Sequence, residues 1–324
     1  MRHAISRRPR SWFPRSTLLL SMLLLACAPN SFSQAPSQDV VSRVTAARTV
    51  FLSNASGNDF FNGEIPGGPN ISYNELYAAL QQWGYFHLVD SPAHADLIFQ
   101  IRGAENAPEI VTRPTGDLYP QQHAPKFELT ILDPRADPAA PTPIDTITVL
   151  AGRGTDIPKG NIAFAQSIEW LTYQISKLVN VPPPSSRTLN GPRTLRPSFE
   201  SLIHAEAPVP PQVLDAKNVF IETETNPKNP LYKGFVAALN TWAHYHVVDS
   251  ADAADLVFHF HDNFDGVSLT LTPPHSKVIL WTITDPHYGF YRQHRVTALN
   301  QNLITELKQL NHIPLSQSEI FSLH

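Results

Sequence analysis

The chain has 324 residues, 42% of them hydrophobic and 16% charged, which excludes wholesale disorder and exceeds what one ordinary core accommodates. The first 26 residues carry five arginines and no acid, so the remainder holds 19 basic against 28 acidic residues, a net of −9 rather than the −4 of the whole. That sign leaves no electrostatic footprint for nucleic acid, and the single cysteine, Cys27, excludes an intramolecular disulfide and a cysteine-based zinc site.

Arg2, Arg7, Arg8, Arg10 and Arg15 precede the apolar run 18–26, the layout of a secretory signal over residues 1–26. The run is too short to span a bilayer, which needs roughly 20 apolar residues. Arg7-Arg8 also opens a twin-arginine signal, but the residues after it do not fit that pattern. The run ends Leu24-Leu25-Ala26-Cys27, which resembles the lipobox of bacterial lipoproteins, although Leu25 is larger than usual. That resemblance implies acylation of Cys27 and export to the periplasmic side of a membrane. The alternative is a soluble secreted chain cut after Ala28 or Ala35. Residues 27–47 then read as a tether.

The first module is expected over 48–180. Thr49–Leu52 is β-prone, and Ser72 with Glu75 forms a capping-box pattern ahead of a helix placing Leu76, Ala79, Leu80 and Trp83 on one face, closed by Gly84. Phe86–Val89 reads as a short strand, Asp90-Ser91-Pro92 as a capped turn, and Asp96–Arg102 as a strand. Residues 104–125 form a proline-rich excursion, a loop or hairpin. Phe127–Asp133 and Ile144–Ala151 read as strands, and from Asn161 a helix carries Phe164, Ile168, Leu171, Ile175 and Leu178 as an apolar stripe. Residues 181–215, with eight prolines, read as a stiff linker.

The second module, 216–312, repeats this order before a tail at 313–324. Residues 78–99 and 237–258 agree at twelve of twenty-two positions, pairing Trp83 with Trp242, Asp90 with Asp249 and Asp96 with Asp255. Asn229 with Pro230 takes the capping position, Val278–Asp285 parallels Phe127–Asp133, and Leu303, Leu307 and Leu310 match Leu171, Ile175 and Leu178. The expected fold is α+β: two tandem two-layer β-α-β-β-β-β-α modules with mostly antiparallel sheets.

The repeated tryptophans fall on apolar helix faces and so read as core; the repeated aspartates sit at element ends and read as backbone caps. His259 and His261 share a strand face at i, i+2 and form the weak candidate for a metal site, with His246 or Asp262 completing it. The matching first-module residues, Gln100 and Arg102, favour a plain polar strand face. No nucleophile elbow, HExxH, phosphate loop or dinucleotide fingerprint occurs, and no cofactor is implied.

Phe86-His87-Leu88-Val89-Asp90 followed by Ala95–Phe99, and Tyr245–Asp249 followed by Ala254–Phe258, resemble the α/β modules of the curli-secretion lipoprotein, the penicillin-binding-protein activator lipoprotein and the amino-terminal domain of the Tol-system propeller protein. The resemblance implies a non-catalytic protein of the bacterial cell envelope that contacts a protein partner. An exported hydrolase or metal-dependent enzyme built on the second module's histidines is the alternative. A glycan or other small ligand between the lobes is left unranked.

Overall fold

In the computed structural model, residues 37–56, 70–104, 109–112, 118–121, 126–135, 137–150, 161–183, 207–224, 226–263, 266–285 and 292–315 are described. The expected signal, Cys27 and the centre of the expected linker lie outside them, as does the end of the tail. The chain divides at Pro36, and both modules lie within the unit Ser37–His324.

The described part begins with helix α1, Gln38–Ala46, capped by Ser37, whose side chain accepts from the Val40 amide. Val40 and Val44 bury one side of it, and Arg43 reaches Asp133 at 2.7 Å. The expected tether is therefore corrected: from residue 38 onward it is folded into the first module.

Strand β1 (Thr49–Asn54) leads to α2 (Ile71–Trp83), β2 (His87–Val89), a 3-10 turn at 92–94 and β3 (Leu97–Ala104). The excursion forms a hairpin of β4 (Glu109–Thr112) and β5 (Leu118–Gln121). Then come β6 (Lys126–Asp133), β7 (Thr142–Leu150) and α3 (Asn161–Val179). The second half contains α4 (Pro211–Leu214), β8 (Asn218–Thr223), α5 (Pro230–Trp242), β9 (His246–Val247), β10 (Leu256–Asn263), β11 (Gly266–Thr272), β12 (Trp281–Asp285) and α6 (Arg292–Leu310).

The five-stranded sheets have orders β2-β1-β3-β6-β7 and β9-β8-β10-β11-β12. The α+β class and the two similar sheet–helix modules stand as expected. Each five-stranded sheet is mixed: β1 is parallel to both β2 and β3, and β8 to both β9 and β10, while the remaining pairings and the β4–β5 hairpin are antiparallel. A helical crossover from β1 to β2 returns the chain in the same direction, which gives a parallel pair. β1 is the inner parallel strand and is buried from Val50 to Asn54, on both faces.

β12 takes the edge place of β7, and β11 takes the place of β6. The match of Val278–Asp285 to Phe127–Asp133 is thus corrected. The alternating run Val267-Ser268-Leu269-Thr270-Leu271 supplies the inner strand that the sequence reading passed over. The second module also begins earlier than expected, since α4 and buried Val213 lie inside the expected linker. Thr49 aligns with Asn218 at an offset of 169, Trp83 with Trp242 at 159, so ten extra residues separate β1 from α2 in the first copy.

Two caps differ from the sequence pattern. Ser72 lies inside α2, its hydroxyl 2.6 Å from that of Ser56, and Asn70 occupies the cap position without a side-chain bond to the helix. The capping box is therefore absent, and Glu75 is buried with Oε1 lacking a partner. In the turn at 92–94 it is Ser91, not Asp90, that accepts from the Ala93 amide. Asn229 does cap α5, accepting from the Leu231 amide at 2.9 Å.

The modules meet directly. Ser53 Oγ donates to the carbonyl of Ile279, the Asn54 amide approaches that of Leu280 at 3.5 Å, and the Lys277 amide donates to Ala139 at 2.6 Å. Tyr73 of α2 meets Trp281 edge-on at 4.9 Å, and Val278 and Leu280 join the same continuous core as Phe51 and Ile98.

Both first helices end in a left-handed residue, Gly84 at φ 67° and Ala243 at φ 55°. Only glycine adopts that conformation freely. Ala243→Gly is expected to raise unfolding free energy by about 1 kcal/mol, and Gly84→Ala to lower it by about 1 kcal/mol. The Gly84 change has room for its methyl, the nearest atom lying at 4.0 Å, so denaturant melts isolate the backbone effect.

Burial pushes the Glu75 carboxyl up from 4.5 to about 7. Burial likewise pushes the Glu306 carboxyl on α6 up to about 8. An acid raised in the fold gives stability that is complete below the unfolded value and lost as pH rises through the folded one. Glu75→Gln should therefore raise the melting temperature above pH 7 and leave it unchanged below 4.5; equal effects at both would contradict this assignment.

Candidate functional site

The residues repeated in both copies occupy matching positions. Asp96 Oδ2 accepts the amides of Arg48 and Thr49 at 2.8 and 2.9 Å, and its own amide donates to the Thr49 carbonyl at 3.0 Å. Asp255 does the same with Lys217 and Asn218 at 2.9 and 2.7 Å, its amide donating to Asn218 at 2.8 Å. Donation from Arg48 first in one copy, and from Asn218 first in the other, holds each carboxyl below its usual value. Each aspartate thus staples the start of an inner strand to the start of its parallel neighbour.

The aromatic residues repeat as closely. Trp83 stacks on Tyr85 at 5.3 Å and meets Phe86 edge-on at 5.6 Å, and Phe86 meets Phe99 at 5.4 Å. Trp242 stacks on His244 at 4.9 Å and meets Tyr245 at 5.5 Å, and Tyr245 meets Phe258 at 5.3 Å. Trp83 is buried and Trp242 half-buried, the latter beneath Lys308 Nζ at 5.9 Å. Both rings close the end of a helix over its sheet and present no open platform. Asp90 and Asp249 lie exposed after β2 and β9, Asp90 with a carboxylate oxygen 3.9 Å from His94 Nδ1.

His259 sits mid-strand in β10 and joins two elements. Its Nδ1 lies 2.9 Å from Glu222 Oε2 on β8, and its Nε2 lies 2.9 Å from Thr272 Oγ1 on β11. His261, on the same face, has Nδ1 4.0 Å from Glu224 Oε2. Asp262 points elsewhere: its Oδ2 accepts from the Asn229 side chain at 2.6 Å. Among the described residues no group of three or more His, Cys, Asp or Glu side chains could hold a metal ion.

A hydroxyl–imidazole–carboxylate chain is the geometry of an activated nucleophile. Thr272, however, is only 3% exposed, and a reacting carbonyl needs direct approach to that oxygen. In the folded state the arrangement therefore serves to fix the imidazole between three strands.

Sequence reasoning missed a second polar centre. Asp133, at the end of β6, receives the Arg135 guanidinium and amide as well as Arg43 from α1, which also pairs with Asp39 at 3.0 Å. The Arg135 side chain foremost holds the Asp133 carboxyl down to about 2. The Asp-x-Arg spacing was visible, but its partner lay in a segment read as tether. This centre docks α1 rather than forming an open site. Also unforeseen is an exposed ridge on α3, where Lys177 Nζ lies 4.5 Å from the Tyr173 ring and 5.6 Å from the Trp170 ring.

No family model and no curated protein sequence matches the chain. Among solved structures, a PelC dodecamer from Paraburkholderia phytofirmans is similar over 41% of this chain and 88% of its own, at 12% identity and a TM-score of 0.22. At that score the likeness carries no inference about fold or function.

Burial foremost, opposed by Glu222, holds the His259 imidazole below its usual 6.5. The unfolded chain takes up the proton first as pH falls, so this residue's share of stability is lost below 6.5. His259→Gln, which installs the residue found at Gln100, should flatten the decline of stability below that pH. A slope unchanged in chemical denaturation would place the titrating group elsewhere.

Proposed function

We propose that the chain is an exported, lipid-anchored, non-enzymatic binding or assembly protein of the bacterial cell envelope. One observation carries the reading. The residues kept in both copies, Trp83 with Trp242 and Asp96 with Asp255, are spent on ring packing and on backbone amides, and no reactive polar constellation recurs between them. A duplicated scaffold of this kind offers shape and strand edges rather than reaction chemistry. The arginine-rich start, the short apolar run and the lone Cys27 supply the export and the anchor. Two or more acyl chains on that cysteine make a stable attachment.

The second reading, an exported hydrolase using the second-module histidines, has the Glu222–His259–Thr272 geometry for it and the burial of Thr272 against it. Turnover of ester substrates that disappears in both His259→Gln and Thr272→Val would bring it to the front. A stoichiometric metal lost in His259→Ala and His261→Ala would do the same for a metal-dependent enzyme.

The leading reading has its own test. Mass analysis of the mature amino terminus should find Cys27 as residue one carrying acyl chains, and cross-linking in intact envelopes followed by capture of the chain should recover a specific protein partner. Recovery of no partner would remove the binding role; an unmodified terminus near Ala28 or Ala35 would remove the anchor.

A further inference from the structure

Among the described residues, the large hydrophobic side chains that stand exposed are Trp170 at 37% and Val181 at 39%. Trp170, Tyr173 and Lys177 recur at the spacing of a single face of α3, and Val181 follows the left-handed Asn180 (φ 53°) that ends the helix, its amide donating back to the Ser176 carbonyl. Trp170 and Tyr173 pack ring to ring at 5.2 Å, and the Lys177 stem brings its ammonium over both.

The fold does not require this ridge. At the fixed offset that pairs Leu171 with Leu303 and Ile175 with Leu307, Trp170 corresponds to Asn302, Tyr173 to Thr305 and Lys177 to Gln309. Asn302 and Thr305 are buried and polar, so the second copy builds the same helix without an aromatic surface. The aromatic ridge is thus particular to the module that follows the amino-terminal segment. α3 is also the helix against which α1 packs, with Thr45 Oγ1 donating to the Leu178 carbonyl.

We propose that the Trp170–Tyr173–Lys177 ridge is the face this protein lays on a lipid bilayer, in the headgroup region. The proposal rests on the anchored reading above. From Cys27 to Ser37, where the folded unit begins, are ten residues, a reach of at most about 36 Å. A chain held so closely at one end keeps α1 and its neighbour α3 near the membrane surface. Tryptophan and tyrosine at the interface, with a lysine whose stem lies along apolar surface and whose charge stays in water, are the side chains that bilayer interfaces select. A folded chain carrying net −9 has no general attraction to anionic lipid, so attachment falls to the anchor and to this local surface.

The test uses the chain purified from membranes, reconstituted with vesicles of phosphatidylethanolamine and phosphatidylglycerol bearing brominated acyl chains. Bromine should quench a component of the tryptophan emission that is missing in Trp170→Phe. In a Cys27→Ser chain, which lacks the anchor, Trp170→Ala should lower vesicle partitioning by about tenfold with a cooperative melt retained. Absence of quenching overturns the proposal, whether or not the amino terminus carries lipid. Quenching by a chain whose terminus proves unmodified keeps the ridge and discards the anchor. Protection of Trp170 in native envelopes that survives removal of lipid would put a protein on the ridge, and would likewise overturn it.

Discussion

Two backbone amides held by one carboxylate, once in each half, are the constraint on which both sheets depend. A parallel pair cannot be registered by a tight turn, because its strands are joined by a long crossover. Asp96 and Asp255 solve this locally: each belongs to the second strand of a parallel pair and grips the first where it begins. The register Val50 to Leu97 and Val219 to Leu256 then follows, and with it the side on which each hydrophobic residue falls. An ionised carboxylate accepting two amides is a strong and directional tie, and its depressed proton affinity keeps it charged through the neutral range.

The aromatic quartets extend that registration to the helical layer. Phe99 and Phe258 lie two positions beyond the start of β3 and β10, and each touches an aromatic residue that touches the tryptophan ending the first helix. Sheet, turn and helix are thereby locked by edge-to-face ring contacts of nearly the same geometry in both copies. Such contacts add roughly 0.5–1.5 kcal/mol each beyond area burial, enough to fix helix orientation over the sheet.

Much of this was legible because it is periodic. The spacing of Leu76, Leu80 and Trp83 announces a buried helix face, Gly84 its end, and the identities at 78–99 and 237–258 the duplication. What escaped was whatever depends on partners distant in sequence. Ser72 and Glu75 have the spacing of a reciprocal cap, yet the helix starts two residues too early for it, and Ser56 takes the serine hydroxyl. Strands of two or three residues, β2 and β9, carry no directional signal, so the parallel half of each sheet was hidden. Asp285-Pro286 imitates Asp133-Pro134, but strand order is set by pairing and not by the dipeptide that follows a strand. Around His259 the sequence offered a pair of imidazoles on one face. Glu222 and Thr272, which decide its environment, come from two other strands.

The junction between the halves joins unlike surfaces. Ser53 and Asn54 at the end of β1 receive the segment 279–280, whereas the residues in the same place on β8 are Glu222 and Thr223, with Glu222 turned to His259. Once twin copies contact one another through different faces, selection no longer treats them alike. Ser53 must remain small and buried to admit a neighbouring backbone, while its twin position is at liberty to carry charge. An asymmetric union of this sort lets a gene duplicate diverge inside a single polypeptide, one half committed to holding the pair together and the other available for chemistry its sibling has forfeited.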